Sequence, residues 1–455
     1  MFGIWGHKQA AEITYYGLHA TQHRGQEGAG IVSNDGAELL IHKDVGLLND
    51  VFGRPDLGQL NGEAAIGHVH YVTNQDTGYE NVQPHLFHSQ SGSVALAHSG
   101  NIMNAHDLRG ELENEGSIFH TKADTELLAH LIRRNGKEIT EPGIISAFKK
   151  LVGAYTFLIL TEDKLYAAVD PFGIRPLSIG RIGESYVVAS ETCAFDLVGA
   201  KFDREILPGE LVTISRAGIE SARFAVREQR HLCAMEYVYF SRPDSDLNYV
   251  NVHASRKRMG IELAKEAPVE ADVVTGVPDS SISAAIGYAE QTGLPYEMGL
   301  IKNRYVGRTF IKPSQEMREQ GVKMKLSPVR GIVEGKRVVM IDDSIVRGTT
   351  SIRIVKMLKE AGAKEVHVRI ASPPIKNPCY YGIDMSTREE LIAANKEIED
   401  IREVLGADSV AYLSPDGLEK AIVKDKTINQ GICNACMTGQ YPVGTEENKQ
   451  SFLTN

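Results

Sequence analysis

Cysteine, tryptophan and positive charge are all scarce in this chain of 455 residues, and none of its apolar runs is long. The five cysteines, Cys193, Cys233, Cys379, Cys433 and Cys436, are too few and too scattered for a disulfide scaffold. With 49 Lys and Arg against 59 Asp and Glu, the formal charge is −10, which disfavours a nucleic-acid binder of the basic-stripe kind and a basic membrane-surface protein. A local positive pocket for a small anion remains compatible with that balance. No stretch approaches the roughly 18 apolar residues of a membrane span, and the opening MFGIWGHKQA lacks the basic start and apolar core of an export signal. The expectation is a cytoplasmic globular protein without nucleic-acid or membrane partners, of about two or three domains by length.

With no low-complexity linker and no detectable repeat, domain boundaries must come from changes of pattern. To about residue 225 the text reads as short alternating strands, such as GAYTFLILT, KLYAAVD and YVVASE. DTELLAHLIRRNG interrupts them as a helix, with Leu127, Leu128, Leu131 and Ile132 at helical spacing, Asp124 as N-cap and Gly136 as stop. That half is expected to be α+β. From about residue 255 the rhythm becomes strand, loop, helix: ADVVTGVPDSSISAAIGYAEQTG, KRVVMIDDSIVRGTTSIRIVKMLKEAG, EVHVRIASPP. Strands separated by helices predict a parallel sheet, with ligands at the carboxyl ends of its strands. STREELIAANKEIEDIREVLG reads as two short charged helices with a solvated face, and the polar tail after Gly439 as frayed.

RVVMIDDSIVRGTTS carries the chemistry. Val338 to Ile341 are apolar on successive residues, as in a buried parallel strand. Asp342 and Asp343 emerge at its end, and a helix follows from near Thr350. A helix N-terminus, the small Gly348 and the hydroxyls of Ser344, Thr349, Thr350 and Ser351 suit a phosphate. The aspartates suit ribose hydroxyls or a hydrated magnesium ion. A bare Asp-Asp would be read as a solvated turn; the order strand, loop, helix favours a binding loop.

The segment is similar to the signature of the type I phosphoribosyltransferases, which bind phosphoribosyl pyrophosphate (PRPP). The chain more narrowly resembles the glutamine PRPP amidotransferase family over nearly its whole length, including YYGLHATQHRGQEGAG, VVASETCAFD, EYVYFSRPDS, TGVPDSSISAAIGYA and KNRYVGRTFIKPSQEMREQGVKMKLSPVRG. The resemblance implies an N-terminal-nucleophile hydrolase-like αββα glutaminase domain at 1–225, an α/β phosphoribosyltransferase domain at 226–439 and a tail at 440–455. It makes Asp342 and Asp343 the holders of ribose and magnesium, with Ser280 as a further magnesium position, and Ser344, Ile345, Val346, Arg347, Gly348, Thr349 and Thr350 the loop around the 5-phosphate. Lys302, Arg304, Tyr305 and Arg308 would act in a flexible loop that closes over PRPP.

Read alone, the CxxC of Cys433 and Cys436 with two distant cysteines leaves zinc and plain buried thiols open. The resemblance implies that Cys233, Cys379, Cys433 and Cys436 ligate a [4Fe–4S] cluster of structural or regulatory role; Cys193 is left as a buried thiol. In the glutaminase half the family starts Cys-Gly-Val-Phe-Gly-Ile, whereas here Met1 stands in the valine's place with no cysteine before it. The glutamine-carboxylate arginine is replaced by His70 in GHVHY, and the oxyanion-hole asparagine by Ser99 before Gly100 in AHSGN. Asp124, matching the residue that holds the glutamine amino group, is retained. His23, His68 and His98 read as packing or hydrogen-bonding side chains.

A methionine cannot do acyl chemistry, and a largely neutral imidazole does not replace a bidentate guanidinium. The expectation is therefore a lost glutaminase, and a transferase making 5-phosphoribosylamine and pyrophosphate from PRPP with free ammonia or another small amine. Two alternatives stand beside it: glutamine-dependent transfer in purine biosynthesis with the true N-terminus missing from the sequence, and a non-catalytic PRPP- or nucleotide-binding subunit. The resemblance further implies a homotetramer inhibited by purine nucleotides.

Overall fold

The computed structural model describes the chain except for residues 72–77, 91, 137, 227–228, 304–325, 384, 386, 424–429 and 444–455. Its first half stacks two antiparallel sheets. One has seven strands in the order Lys201–Glu205, Ser178–Ile182, Ser185–Ala189, Phe2–Trp5, Ala64–His70, Gly28–Asn34, Leu39–Val45. The other has six, in the order Gly218–Arg223, Glu210–Ser215, Lys164–Val169, Gly153–Leu160, Gly92–Ile102, His85–Ser89. Alternation along the strands fills three cores. Val32, Ile66, Leu158 and Leu160 meet between the sheets, Leu127, Leu131 and Ile144 lie under helices on one outer face, and Leu18 and Phe195 do so on the other. The result is the expected helix, sheet, sheet, helix sandwich.

The predicted helix spans Asp124–Arg134, with Ala123 in the capping position, so Asp124 is its first helical residue and its N-cap role is corrected; Asn135 caps its end and Gly136 follows as the stop. The Asp124 carboxylate is drawn instead toward the neighbouring strand, accepting from the Ile102 N–H at 3.2 Å.

The second half holds a four-stranded parallel sheet ordered Val273–Gly276, Arg337–Asp342, Glu365–Ile370, Ser409–Tyr412. Its central strand is apolar on both faces because both are covered: Val338 and Met340 pack toward the helices Thr349–Glu360 and Ile398–Leu405. Val339 and Ile341 pack toward Val252–Glu266 and Ile282–Thr292. After residue 385 the helices are shorter than predicted, a turn at Arg388–Glu390, then Ile392–Asn395 and Ile398–Leu405. The chain stays packed past Gly439: the Tyr441 hydroxyl donates to the Pro378 carbonyl at 2.6 Å, and Val443 is buried. Among the described residues no helix is long and apolar enough to cross a membrane.

Candidate functional site

At the carboxyl end of the strand Arg337–Asp342 the two carboxylates turn inward, Asp342 7% and Asp343 8% exposed. The Ser281 hydroxyl and the Asp343 N–H donate to Asp342 Oδ1 at 3.1 and 3.0 Å. Asp343 accepts from Ser344 Oγ at 2.7 Å and from the Ser280 hydroxyl. Burial, and then the neighbouring Asp343, hold the Asp342 carboxyl well above the usual carboxylate range. Asp343 is raised by burial, opposed by the Ser280 and Ser344 hydroxyls and the Arg256 guanidinium. Two like charges buried side by side are a costly arrangement for empty protein and a suitable one for a hard divalent cation, since the carboxylates and flanking hydroxyls offer oxygen ligands.

The loop that follows is shaped by its backbone. Ile345 is buried, and the Val346 carbonyl accepts from the Ile392 N–H at 2.9 Å, pinning the turn to the next segment. Arg347 pairs with Glu390 at 2.5 Å in an exposed ion pair. Gly348 adopts φ +80°, a left-handed conformation that disfavours a side chain, and caps the helix Thr349–Glu360. The first turn of this 12-residue helix carries exposed Thr349 and Thr350, and its leading N–H groups have no acceptor within the helix. Lys302 lies at the edge of the site, its Nζ 2.7 Å from Asp279 in the segment that also carries Ser280. Arg304, Tyr305 and Arg308 fall outside the described residues.

The four cysteines of the expected cluster converge. The strands Arg230–Cys233 and Gln430–Cys433 pair in parallel with Cys233 opposite Cys433. These two, with Cys379 and Cys436, line one pocket closed by Met235, Tyr381, Ile383, Met385, Ala435 and Tyr441. Among the described residues no three Cys, His, Asp or Glu side chains are gathered tightly enough to bind a single metal ion. Burial pushes the Cys233 thiol up to about 12 and likewise raises the Cys433 and Cys436 thiols well above the ordinary thiol value. Cys193 is buried elsewhere, as expected of a leftover thiol.

In the first half, Met1 is buried and its amine donates to Ser190 Oγ at 3.1 Å; burial, then Arg24, lower that amine to about 5. His68 lies close by: burial, then the amine, His70 and His98, hold its imidazole well below the ordinary value. His70 ends the strand Ala64–His70, its ring centroid 6.0 Å from that of His68. Ser99 and Gly100 sit on the strand Gly92–Ile102, Gly100 at φ +130°. His98 stacks on Phe157 at 4.6 Å and so packs, and His23 bonds Glu191 at 2.6 Å and so serves hydrogen bonding.

A buried ionic cluster that the sequence reading missed joins the two halves. Arg24 donates to Glu191 at 2.5 Å and to Glu236 at 2.8 and 3.0 Å, and Arg175 to Glu236 at 3.2 Å. Ser245 and the Arg242 N–H donate to Glu191, and Ser241 to Glu236. Burial raises both carboxyls, but Arg24 first, with His23 on Glu191 and Arg175 on Glu236, outweighs it and holds them below the usual range. These partners lie 167 and 212 residues apart for Arg24 alone. No local motif announces them; the sequence signal was charge inside mostly apolar text at Glu191 and Glu236. Ser281 and Arg256, which act on the aspartate pair, were missed likewise.

A family model for a glutamine amidotransferase domain matches residues 72–196, and one for a phosphoribosyl transferase domain matches residues 252–380. The chain is 62% identical to an amidophosphoribosyltransferase of Bacillus subtilis (strain 168) over 97% of this chain and 93% of that protein. It is 52% identical to an amidophosphoribosyltransferase of Staphylococcus aureus (strain N315) over 99% and 92%. A solved glutamine PRPP amidotransferase from B. subtilis complexed with ADP and GMP superposes with a TM-score of 0.92 at 61% identity, covering 97% of each chain. A structure described as the allosteric regulatory enzyme of purine biosynthesis gives 0.94 at 61% identity, covering 98% and 97%. These relatives give no support to the expected loss of the glutaminase half-reaction. With a phosphoribosyltransferase sheet, an aspartate pair at its mouth and such likeness over nearly its full length, the chain belongs to the amidophosphoribosyltransferase family, enzymes of the phosphoribosyltransferase class in purine biosynthesis.

Proposed function

We propose that this chain transfers nitrogen to PRPP, giving 5-phosphoribosylamine and pyrophosphate, and that glutamine is the nitrogen donor. The observation that carries the reading is the buried, hydroxyl-flanked pair Asp342 and Asp343 above a helix N-terminus. Asp342 and Asp343, with Ser280, would hold the ribose hydroxyls and magnesium, and the loop from Ser344 to Thr350 would hold the 5-phosphate. Bound magnesium supplies positive charge to the departing pyrophosphate. The protein's own groups do the rest: N–H groups of the first helical turn and the hydroxyls of Thr349 and Thr350 bind the phosphate, and Lys302 adds positive charge at the rim. Fixing the ribose while its anomeric carbon becomes cationic requires that water be kept away, the role we assign to the segment from Lys302 to Lys325.

The donor is glutamine on the strength of the relatives, which favour it over the free ammonia expected from the sequence. Asp124 would meet the glutamine amino group, and Gly100 the developing oxyanion. A second reading, ammonia alone, keeps one observation in its favour: His70 and Ser99 stand where the family has arginine and asparagine. Magnesium-dependent pyrophosphate release measured with glutamine, with ammonium and with neither separates the readings. Release with glutamine supports the first; release with ammonium only supports the second; none with either would turn both down in favour of a regulatory binding subunit.

The rest of the reading follows the family. Cys233, Cys379, Cys433 and Cys436 would hold a [4Fe–4S] cluster, for which an all-thiolate, apolar pocket is the right donor set. Purine nucleotides would inhibit, as a B. subtilis relative complexed with ADP and GMP suggests. The domains would divide at 225/226, with 440–455 as a tail, in a cytoplasmic homotetramer.

A further inference from the structure

The turn after Cys379 touches both halves of the molecule. Within it, the Tyr381 N–H donates to Cys379 Sγ at 3.4 Å, and the Cys379 N–H to the Met385 carbonyl at 2.9 Å, so the turn is closed on itself around the thiol. Outward from it, the Tyr380 carbonyl accepts from Asn101 Nδ2 at 3.0 Å, and the Tyr381 carbonyl from Arg175 Nη2 at 3.0 Å. Gly382, at φ +89°, lies so close that a Cβ there would stand 2.8 Å from the Gly100 carbonyl carbon and 3.0 Å from Arg175 Nη2. Asn101 directly follows Ser99 and Gly100 on their strand. Arg175 also donates to Glu236, three residues after Cys233, so one guanidinium grips both cysteine-bearing segments.

We propose that Asn101 and Arg175 are positioning residues through which occupancy of the four-thiol pocket sets the placement of the Ser99–Gly100 strand. The inference rests on the cluster reading and deepens it. A cluster would tie Cys379 to Cys233, Cys433 and Cys436, fixing the turn whose carbonyls Asn101 and Arg175 hold. Without it, the turn keeps its local hydrogen bonds and those of Tyr381 with Val443, loses its tie to the other three thiols, and holds the strand less firmly. Each donor meets one carbonyl of the turn, Asn101 that of Tyr380 and Arg175, besides its pair with Glu236, that of Tyr381, so removing Asn101 breaks its link without altering Ser99 or Gly100 themselves.

The test is hydrogen exchange on the full chain, reconstituted anaerobically with iron and sulfide and compared with the same protein after chelation. Stripping should raise exchange about tenfold in peptides covering 92–102 as well as in those covering 376–383. In Asn101→Ala and, separately, Arg175→Lys, stripping should raise exchange around the cysteines only, because 92–102 already exchanges at the stripped rate. A wild-type strand indifferent to stripping overturns the proposal. Protein that retains no iron and sulfide overturns the cluster reading instead, and alkylation of Cys379 then takes the place of stripping: faster exchange at 92–102 in the wild type but not in Asn101→Ala upholds the link, and equal exchange rejects it.

Discussion

The PRPP loop and the glutamine-side site are built in opposite ways. In the first, strand end, carboxylates, turn glycine and helix start lie within Arg337 to Thr350, and one continuous stretch carries nearly all the chemistry. In the second, Met1, His70, Ser99 and Asp124 come from separate elements brought together by two sheets, and the ionic cluster beneath draws on residues more than 150 apart. A locally encoded site tolerates rearrangement elsewhere. A site assembled from distant strands depends on the whole domain and on its neighbour.

The sharpest way to break this contrast is at the aspartates. Asp342→Asn or Asp343→Asn should lower PRPP-dependent pyrophosphate release by about 10²–10³ or more, measured with ammonium so that the glutamine side plays no part. The same changes should stabilise the ligand-free protein. The folded pair is raised above the ordinary carboxylate value, so the folded state binds more protons than the unfolded one and stability falls as pH rises from about 4 through the raised folded value. The wild type should therefore lose stability across that window in the absence of magnesium, as read by denaturant titration, with either asparagine variant showing a flatter profile.

Next in size is the junction. Glu236→Gln leaves Arg24 and Arg175 buried with half their compensation, and should cost about 3–5 kcal/mol, seen as an earlier first transition in urea with both halves affected. If only the PRPP half loosened, the two regions would be less interdependent than the cluster implies. Smaller and opposite in sign is repair of the glutamine side. In a chain given Cys-Gly ahead of Met1, His70→Arg with Ser99→Asn should raise the glutamine-dependent rate by about 10²-fold and leave the ammonium rate unchanged. No change would mean that other groups already do the work of both. Smallest is Lys302→Ala: its pair with Asp279 is about half exposed on the lysine side, so stability should move by no more than about 0.2–1 kcal/mol, while half-saturation by PRPP should rise.

The same contrast explains what could be read in the sequence. The strand expected from Val338 to Ile341 is Arg337–Asp342 in the structure, and the helix expected near Thr350 starts at Thr349, because hydrophobic period and glycine placement are local signals. GAYTFLILT and KLYAAVD are the strands Gly153–Leu160 and Lys164–Val169 for the same reason. Ser281 and Arg256 escaped notice because a hydroxyl or guanidinium aimed at a carboxylate 61 or 87 residues away leaves no periodic trace. Arg24, Glu191, Glu236 and Arg175 escaped because an isolated charge gives no sign of partners that lie far along the chain. The Asp124 cap failed differently: local rules favoured it, and the tertiary hydrogen bond to Ile102 won.

The parallel pairing of Cys233 with Cys433 also fixes an order of events during synthesis. At about 5–20 residues per second on the ribosome, the 200 residues between those positions (433 − 233) take about 10–40 seconds to appear. Through that interval Cys233 is already out, and the strand that will lie beside it does not yet exist. The four-thiol pocket can therefore close only on a chain synthesised as far as Cys436, after the whole PRPP sheet has emerged. Closure of that pocket marks a molecule translated past both of its halves.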